Sequence, residues 1–455
     1  MRRAHLIRLT GALAAALGLA VAPRLLAQAR PPSPTQIASQ QELERELKLQ
    51  GLDGIRPGAK NGDPASPYAT NYDEAKANPY PLPDPLVGPA GKRAASAKQW
   101  WDVRRPEIVK AMEDELYGHR PAKLPKVTWT VTQERRTDDY GIPAVEKTLD
   151  GALDNSADPA IQVHIKAVLV TPEDAVAARR KTPVIISINW LKPPPGFPKE
   201  NPAADYRNLI LKRGWSVVVY DPTSVQADNG AGLTSGVIGL VNKGQPRKLD
   251  DWGALSAWAW GASKVVDFLD TDPNVDASRV AIFGHSRYGK ASLVAMAYDP
   301  RLKAGFISSS GAGGAAPYRR HWGEQVENVA AANEYHWMGA RFLRYASGST
   351  TAKDLTIDSN DVIALAAPRA VFVGAGRATG DGDGWVDPRG MFLAEASAGE
   401  VWGLLGQRPI DRTEPPPLTL SESGPLAFRE HDQGHTPGPN WPYFLDFAGK
   451  AFGKI

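Results

Sequence analysis

Cysteine is absent from the 455 residues of this chain. Its absence excludes disulfide bridges, catalysis by a thiolate, zinc sites with cysteine ligands and a lipoprotein anchor. Apolar side chains make up 42% of the sequence and charged ones 23%, which is ordinary for a soluble globular protein. With no internal repeat in the sequence, these proportions favour one large domain.

A hydrophobic run long enough to span a bilayer is also missing. The apolar stretch at residues 11–22 is too short for a helix of about 20 residues. Three arginines precede it and Ala-Gln-Ala follows at 27–29, which is the pattern of a cleaved secretory signal. We therefore expect residues 1–29 to be a signal peptide and the mature chain to be exported, to the periplasm or the medium.

An excess of basic charge is lacking once the predicted signal is removed. The signal carries four arginines and no acidic residue. Its loss therefore reduces the number of Lys and Arg from 53 to 49, while Asp and Glu stay at 50. Nucleic-acid binding would need a basic patch in the mature chain, and this balance does not favour one. We expect no nucleic-acid partner, no membrane contact after cleavage, and a monomer.

The remaining chain is predicted to be a leader followed by one domain. Residues 30–95 are rich in Pro, Ala, Asn and Asp, and only Gln40–Gln50 shows a helical pattern, so this leader is expected to be partly irregular. Over residues 96–455, apolar runs typical of buried strands alternate with helical stretches. This alternation predicts an α/β fold with a mostly parallel sheet covered by helices on both faces.

The predicted strands of this domain are Val127–Gln133, Val163–Thr171, Pro183–Trp190, Trp215–Tyr220, Arg279–Phe283, Ala304–Ser309, Ala370–Gly374 and Leu426–Arg429. The predicted helices are Trp100–Tyr117, Trp252–Leu269, Tyr288–Tyr298, Gly323–Tyr345 and Gly390–Leu405.

The candidate nucleophile is Ser286. An apolar strand runs into a tight turn at Gly284 and then directly into a helix, which holds a serine hydroxyl above the sheet edge beside the N–H groups of the helix start. The second glycine of the usual Gly-x-Ser-x-Gly turn falls one residue late, at Gly289, and an ordinary strand-to-helix turn is the alternative interpretation. Lys290 lies one helical turn beyond the serine, within reach of a substrate that bears hydroxyl or carboxyl-derived groups.

A serine nucleophile needs a base, and the base needs an acid to orient it. In α/β-hydrolases the chain order is serine, acid, histidine. His435, in the loop after the last predicted strand, is the preferred base, and His431 at the strand end is the alternative. His336 is assigned to a structural role.

At residues 284–290, Gly-His-Ser-Arg-Tyr-Gly-Lys resembles the G-[CH]-S-R-x-G-K signature of the glucuronoyl esterases, carbohydrate esterase family 15. The likeness extends from about Trp100 to Phe452. Other matching motifs are Trp-Asp-Val-Arg-Arg-Pro-Glu-Ile at 101–108, Trp-Ala-Trp-Gly-Ala-Ser-Lys at 258–264, Ser-Gly-Ala-Gly-Gly at 310–314, Tyr-His-Trp-Met at 335–338, Trp-Val-Asp-Pro at 385–388 and Gln-Gly-His-Thr at 433–436.

The resemblance, to the bacterial type in particular, implies an α/β-hydrolase fold with a helical insertion after the strand that follows the nucleophile, and no metal or other cofactor. The implied reaction is hydrolysis of esters between the 4-O-methyl-glucuronic acid of glucuronoxylan and lignin alcohols. Two alternatives remain open: an esterase of the acetyl-xylan type, and a carbohydrate-binding homologue with weak catalysis.

The resemblance also implies roles for single residues. Arg287 would help to hold the oxyanion, for which an always-charged guanidinium is well suited. Lys290 would contact sugar hydroxyls. Glu324 matches a glutamate that grips the sugar, with Glu327 as the alternative. Trp385 matches a tryptophan that offers its flat face to the sugar.

The acid departs from the fungal pattern, because many fungal members carry a glutamate where this chain has serines at 308–310. Other members place the acid after the penultimate strand. There Asp383 is preferred and Asp381 is the alternative, while Asp387, followed by Pro388, is predicted to cap a helix. Asp381 and Asp383 are spaced like the first ligands of a calcium loop, but the later ligands are missing.

Overall fold

The computed structural model describes residues 31–61, 65–77, 81–192, 205–379 and 382–453. The predicted signal peptide and the alternative acid Asp381 lie outside the described residues. Within these ranges, the helices are all too short or too polar to cross a membrane.

The centre of the molecule is a ten-stranded sheet. Its strands are β1 (Val127–Thr137), β2 (Ala144–Leu153), β3 (His164–Pro172), β4 (Thr182–Ile188), β5 (Ser216–Asp221), β6 (Val275–His285), β7 (Leu302–Ser308), β8 (Ala370–Gly376), β9 (Leu420–Ser423) and β10 (Leu426–His431). They lie in the order β1-β2-β3-β5-β4-β6-β7-β8-β10-β9. From β5 to β10 neighbouring strands are parallel, whereas β1, β2, β3 and the edge strand β9 pair antiparallel.

The α-helices of the described residues are α1 (Pro34–Leu49), α2 (Ala97–Gln99), α3 (Arg105–Met112), α4 (Glu173–Ala177), α5 (Tyr206–Lys212), α6 (Gly236–Val241), α7 (Ala254–Leu269), α8 (Arg287–Tyr298), α9 (Val326–Val329), α10 (Ser359–Ala364), α11 (Pro388–Leu404) and α12 (Trp441–Phe452).

The sheet separates two hydrophobic cores, one on each face. Side chains of β6 alternate between them: Val280 and Ile282 join the larger core with α7 and α8, while Ala281 and Phe283 join the core formed with α5 and α12. Because both faces are covered, the central strands are apolar without alternation, and all residues of β4 are buried. The predicted α/β architecture is confirmed.

All eight predicted strands are present, but β2 and β9 were not predicted. The sequence of β2 includes Glu146, Lys147, Asp150 and Gly151, so it contains no unbroken apolar run. It pairs antiparallel with β1 and β3 near the edge of the sheet, where one face can remain polar. Strand β9 spans only four residues, which is too short for a periodic signal.

The continuous helix predicted over Gly323–Tyr345 is wrong. The structure has the short α9 there, followed by 3-10 turns at Tyr335–Trp337 and Ala340–Ala346. The backbone of this insertion makes short local turns, and between them it bonds to distant elements: Gly339 N–H donates to the carbonyl of Leu116 at 2.8 Å. Tertiary hydrogen bonds of this kind override a local helical pattern.

The leader contains a longer helix than predicted. Helix α1 begins after Ser33, whose hydroxyl accepts from the N–H of Gln36 while the Gln36 side chain accepts from the N–H of Ser33. This capping box, with Pro34 at the first helical position, was a readable start signal that the prediction missed.

A buried ion pair joins α1 to the domain. The carboxylate of Glu46 accepts from Arg247 Nε at 2.5 Å and Nη2 at 3.0 Å, and both side chains are fully buried. Arg247 Nη1 also donates to the carbonyl of Met338 at 2.6 Å, within the insertion. One guanidinium therefore fastens the leader helix and the insertion together.

We predict that Glu46→Ala lowers the free energy of unfolding by about 3 kcal/mol or more, because it leaves the Arg247 cation buried without its partner. Chemical denaturation followed by fluorescence measures the change. The matched control is Glu44→Ala, at an exposed position of the same helix, where we expect a change within about 0.5 kcal/mol. Equal effects of the two substitutions would contradict the assignment.

Candidate active site

Ser286 occupies a strained turn between β6 and α8. Its φ of 59° and ψ of −128° lie in a region that residues other than glycine rarely adopt. The turn is so tight that a Cβ at Gly284 would collide with the carbonyl oxygen of Tyr288. This conformation presents a side chain at the carboxyl edge of a parallel sheet, next to the N–H groups of a helix start.

Gly289 explains the unusual spacing of the motif. A Cβ at this position would lie 2.7 Å from the carbonyl oxygen of Ser308 in β7. Since α8 passes that close to β7 one turn after the serine, glycine is needed at 289. Gly289 therefore allows the helix to pack closely on the strand, while Gly284 allows the tight turn.

His435 and Asp383 come together from two loops at the same sheet edge. His435 follows β10, Asp383 follows β8, and Nδ1 of His435 lies 2.7 Å from Oδ1 of Asp383. Burial works against the charge of Asp383, but the hydrogen bonds from His435, Ser309 and Gly376 N–H outweigh it and lower the pKa of the carboxyl. An ionised Asp383 accepts a hydrogen bond from the Nδ1–H of His435, which leaves the lone pair of the imidazole on Nε2.

The serines at 308–310 have other partners. Ser308 Oγ lies 3.0 Å from Nδ1 of His285, Ser309 Oγ donates to Asp383, and Ser310 Oγ accepts from Ala315 N–H at 2.9 Å. The segment in which fungal relatives were expected to carry their acid therefore holds a serine, Ser309, that donates a hydrogen bond to an acid of another loop, Asp383.

The other candidate histidines lie in different surroundings. Both ring nitrogens of His431 contact backbone groups, with Nε2 2.8 Å from the carbonyl oxygen of Thr436 and Nδ1 accepting from Gln433 N–H. Burial and the neighbouring His435 lower the pKa of His285 well below its usual range, so this ring is neutral. His336 is fully buried within the insertion, as its structural assignment predicted.

A cavity of about 290 Å³ lies in front of Ser286. The seven residues singled out from the sequence all line it: Ser286, Arg287, Lys290, Glu324, Asp383, Trp385 and His435. Ser309, Ser310, Glu334 and Trp337 also line it and were not predicted. The alternative residue Glu327 points elsewhere, because its carboxylate binds Arg56.

Lys290 and Glu324 form a buried ion pair in this cavity. Lys290 Nζ donates to Glu324 Oε2 at 2.9 Å and to the carbonyl oxygen of Ala312. Glu334 adds a second carboxyl: burial and the negative charge of Glu324 raise its pKa to about 7. In the described structure its Oε2 is buried without a hydrogen-bond partner. Such a wall offers both donors and acceptors to a polar ligand.

Trp385 is held by the insertion. Its carbonyl oxygen accepts from Glu324 N–H at 2.8 Å, and the neighbouring Gly384 carbonyl accepts from Trp322 Nε1 at 2.9 Å. Asp387, two residues later, is the N-cap of α11 and accepts from Gly390 N–H at 2.9 Å, which confirms its predicted capping role.

Asp228 is a further residue of the site that was not predicted from the sequence. One carboxylate oxygen accepts from Arg287 Nη1 at 2.5 Å, and the other accepts from Trp337 Nε1 at 2.7 Å and lies 2.9 Å from His336 Nε2. Despite burial, these partners lower the pKa of Asp228 to about 2. The carboxylate therefore stays charged and fixes the guanidinium of Arg287 beside the nucleophile. No motif surrounds Asp228 in the sequence.

Among the described side chains, no three or more of His, Asp and Glu lie close enough together to hold a metal ion. The chemistry offered by this site is that of an oriented imidazole, a strained serine, a fixed guanidinium and a polar cavity.

Comparison with known proteins gives a likeness across most of the chain. Residues 163–406 match the family model described as glucuronyl esterase, fungi. A carbohydrate esterase from an unidentified prokaryote is 31% identical over 84% of this chain and 92% of its own length. The 4-O-methyl-glucuronoyl methylesterase 1 of Wolfiporia cocos is 25% identical over 71% of this chain and 72% of its own. The solved structure of a family 15 glucuronoyl esterase from Teredinibacter turnerae is 39% identical and covers 91% of this chain and 100% of its own, with a TM-score of 0.83.

We predict a strongly downfield proton resonance for Nδ1 of His435, because that proton lies in a short hydrogen bond to a charged carboxylate. Proton NMR with ¹⁵N-labelled histidine measures it. Asp383→Asn should remove the resonance or move it upfield, while Asp432→Asn, an exposed change in the same loop, should leave it in place. A resonance indifferent to Asp383→Asn would contradict the pairing.

Proposed function

This chain belongs to the glucuronoyl esterases of carbohydrate esterase family 15, which makes it a carboxylic ester hydrolase, and from that premise we propose that Ser286 attacks esters of 4-O-methyl-glucuronic acid. The observation that carries the proposal is the convergence of the seven expected residues on one cavity. The substrate class is that named for the relative from Wolfiporia cocos. In nature the ester would join glucuronoxylan to lignin alcohols.

The proposed reaction is acyl transfer to water. Ser286 Oγ bonds to the uronoyl carbonyl carbon while its proton passes to His435 Nε2. The carbon–oxygen bond to the alcohol then breaks, and the same proton goes to the leaving oxygen. Water then attacks the acyl-enzyme, and His435 Nε2 takes a proton from it. That proton passes to Ser286 Oγ as the bond between the acyl carbon and this oxygen breaks, so glucuronate leaves and the serine hydroxyl is re-formed. Asp383 holds the base in its productive tautomer and stabilises the imidazolium.

Arg287 and the N–H groups at the start of α8 would bind the oxyanion of the tetrahedral intermediate. Asp228 supports this role because it fixes the guanidinium before substrate arrives, and a donor fixed in advance needs no reorganisation during the reaction. The Arg287 side chain is still about two-fifths exposed, so it retains donors for a substrate.

The sugar ring would lie in the cavity of Ser286, with Lys290 and Glu324 bound to its hydroxyls and Trp385 against its face. Lys290 is held by two acceptors and Glu324 by Lys290, so both groups are ordered before binding. The unpartnered oxygen of Glu334 adds an acceptor on the same wall.

The serines at 308–310, where a carboxylate would be expected, are what favours the alternative of a carbohydrate-binding homologue with weak catalysis. The contact of Asp383 with His435 supports catalysis over that alternative, because the base has a carboxylate partner from another loop. The acyl half of an acetyl ester carries only a methyl group, so with the acyl half in this cavity the charged wall around Lys290 and Glu324 would have no sugar hydroxyls to bind, which supports a uronic acid ester over the acetyl-xylan type.

We also propose export by the signal at residues 1–29, to the periplasm or the medium, followed by action as a monomer on glucuronoxylan without a metal or other cofactor. Such a destination fits a substrate that is part of a plant polymer too large to enter a cell.

We expect Ser286→Ala to lower kcat on methyl or benzyl glucuronate by at least about a thousandfold, because no other hydroxyl takes the place of the nucleophile. Glucuronate should still bind, which isothermal titration calorimetry measures. Ser278→Ala, at an exposed position of β6, is the control and should keep wild-type turnover. Undiminished turnover in Ser286→Ala would refute the mechanism.

We further expect Asp383→Asn to lower kcat/KM by more than about tenfold, because the base loses the partner that sets its tautomer. Asp381→Asn should change it by less than about twofold. Initial rates on methyl 4-O-methyl-glucuronate measure both. Equal losses in the two variants would show that the acid is not Asp383 alone.

A further inference from the structure

The carboxylate of Asp228 and its donors belong to two separate segments of the chain. Asp228 lies in the loop after β5, just before a 3-10 turn at Gly230–Thr234. Two of its donors, His336 and Trp337, come from the insertion. Burial lowers the pKa of His336, so the ring is neutral and donates to the charged carboxylate from Nε2. The segments are 108 residues apart in sequence, so the chain between them does not fix their spacing.

Helix α1 of the leader bonds to both segments through one residue, Ser39. The Ser39 hydroxyl accepts a hydrogen bond at 3.0 Å from the N–H of Ala231, three residues after Asp228. The Ser39 carbonyl oxygen accepts at 3.0 Å from the hydroxyl of Tyr335, directly before His336. Because Ser39 is buried, water does not compete for these two bonds.

The contact between the two segments at this point is very close. A Cβ at Gly230 would lie 2.1 Å from the hydroxyl oxygen of Tyr335, so a glycine is needed where the Tyr335 hydroxyl passes the loop to reach Ser39. The loop, the insertion and α1 therefore meet at one tightly packed joint next to the Asp228 cluster.

The buried face of α1 carries polar groups as well as apolar ones. Its buried residues follow helical spacing, at i, i+4, i+7 and i+8: Ser39, Leu43, Glu46 and Leu47. Burying a polar group is costly unless it is bonded, and both polar members have partners. Ser39 holds the insertion at Tyr335, and Glu46 holds it at Met338 through Arg247. These two points lie on either side of the donors to Asp228.

We propose that α1 is a positioning element for Arg287 and that Ser39 is the residue through which it acts, an inference that rests on the oxyanion role proposed for Arg287. Ser39 fixes the spacing between Asp228 and its donors from the insertion. Asp228 in turn fixes the guanidinium. A donor to an oxyanion is effective only when it is held in place before the charge develops, so a loosened joint weakens binding of the transition state.

Ser39→Ala tests the joint by removing the acceptor for the N–H of Ala231. Because the oxyanion exists only after the carbonyl is attacked, we expect kcat on methyl 4-O-methyl-glucuronate to fall about fivefold or more while KM changes by less than about twofold. Tyr335→Phe, which removes only the hydroxyl, should give the same pattern. Unchanged kcat in both variants, or a raised KM with kcat intact, would overturn the proposal.

Ser216→Ala is the matched control. Ser216 is another fully buried serine, and its hydroxyl bonds to Thr171 and Thr182. It begins β5, at the opposite end of the parallel strands from Ser286. The change should lower the thermal midpoint of unfolding, as Ser39→Ala should, but leave kcat within about twofold of wild type. An equal loss of kcat in both variants would assign the effect of Ser39 to stability alone and overturn the proposal.

A double-mutant cycle tests whether Ser39 acts through Arg287. In the Arg287→Ala background, Ser39→Ala should lower kcat by less than about twofold, because the group that it positions is gone. A full fivefold loss there would show that Ser39 acts by another route.

The same measurements separate this inference from the function on which it rests. If the wild-type protein does not hydrolyse the ester, the proposed function fails. If wild-type turnover is present and Ser39→Ala retains it in full, the function stands and only the role of α1 falls.

Discussion

The strained turn at Ser286 is the constraint on which the rest of the site depends. A positive φ at a serine persists only where the surrounding structure enforces it. Gly284 provides the room for the turn, and Gly289 lets the following helix pass close to Ser308. Because the turn lies at the carboxyl edge of a parallel sheet, loops that follow β8 and β10 can bring Asp383 and His435 to the same place.

Asp228, Lys290 and Glu324 are largely buried, and each is paired with a group of opposite charge. Burying an ion is costly unless a partner is supplied in good geometry, and each of these ions has such a partner. Asp228 accepts three hydrogen bonds, and Lys290 has both Glu324 and the Ala312 carbonyl. The result is a site in which these polar groups are ordered before a substrate arrives.

The sequence made the local parts of this arrangement predictable. Ser286 follows from a strand that runs into a helix, Lys290 from helical spacing, and His435 from its place after the last strand. Asp383 and Asp381 could not be separated by pattern alone, because what distinguishes Asp383 is its bond to a histidine 52 residues away. Asp228 was missed because its partners come from α8 and the insertion. The insertion was mispredicted as one helix, since part of its backbone bonds to remote groups, as the N–H of Gly339 does to the carbonyl of Leu116.

The ion pair between Glu46 and Arg247 makes the leader helix part of the folded domain. Arg247 also holds the carbonyl of Met338, and Met338 directly follows Trp337 in the wall of the polar cavity. A shortened protein that began at residue 96 would retain the whole predicted hydrolase domain, yet it would leave the Arg247 cation buried without its partner beside the wall of the polar cavity. Trimming the enzyme for crystallography or for fusion to another module should therefore spare the helix at 34–49.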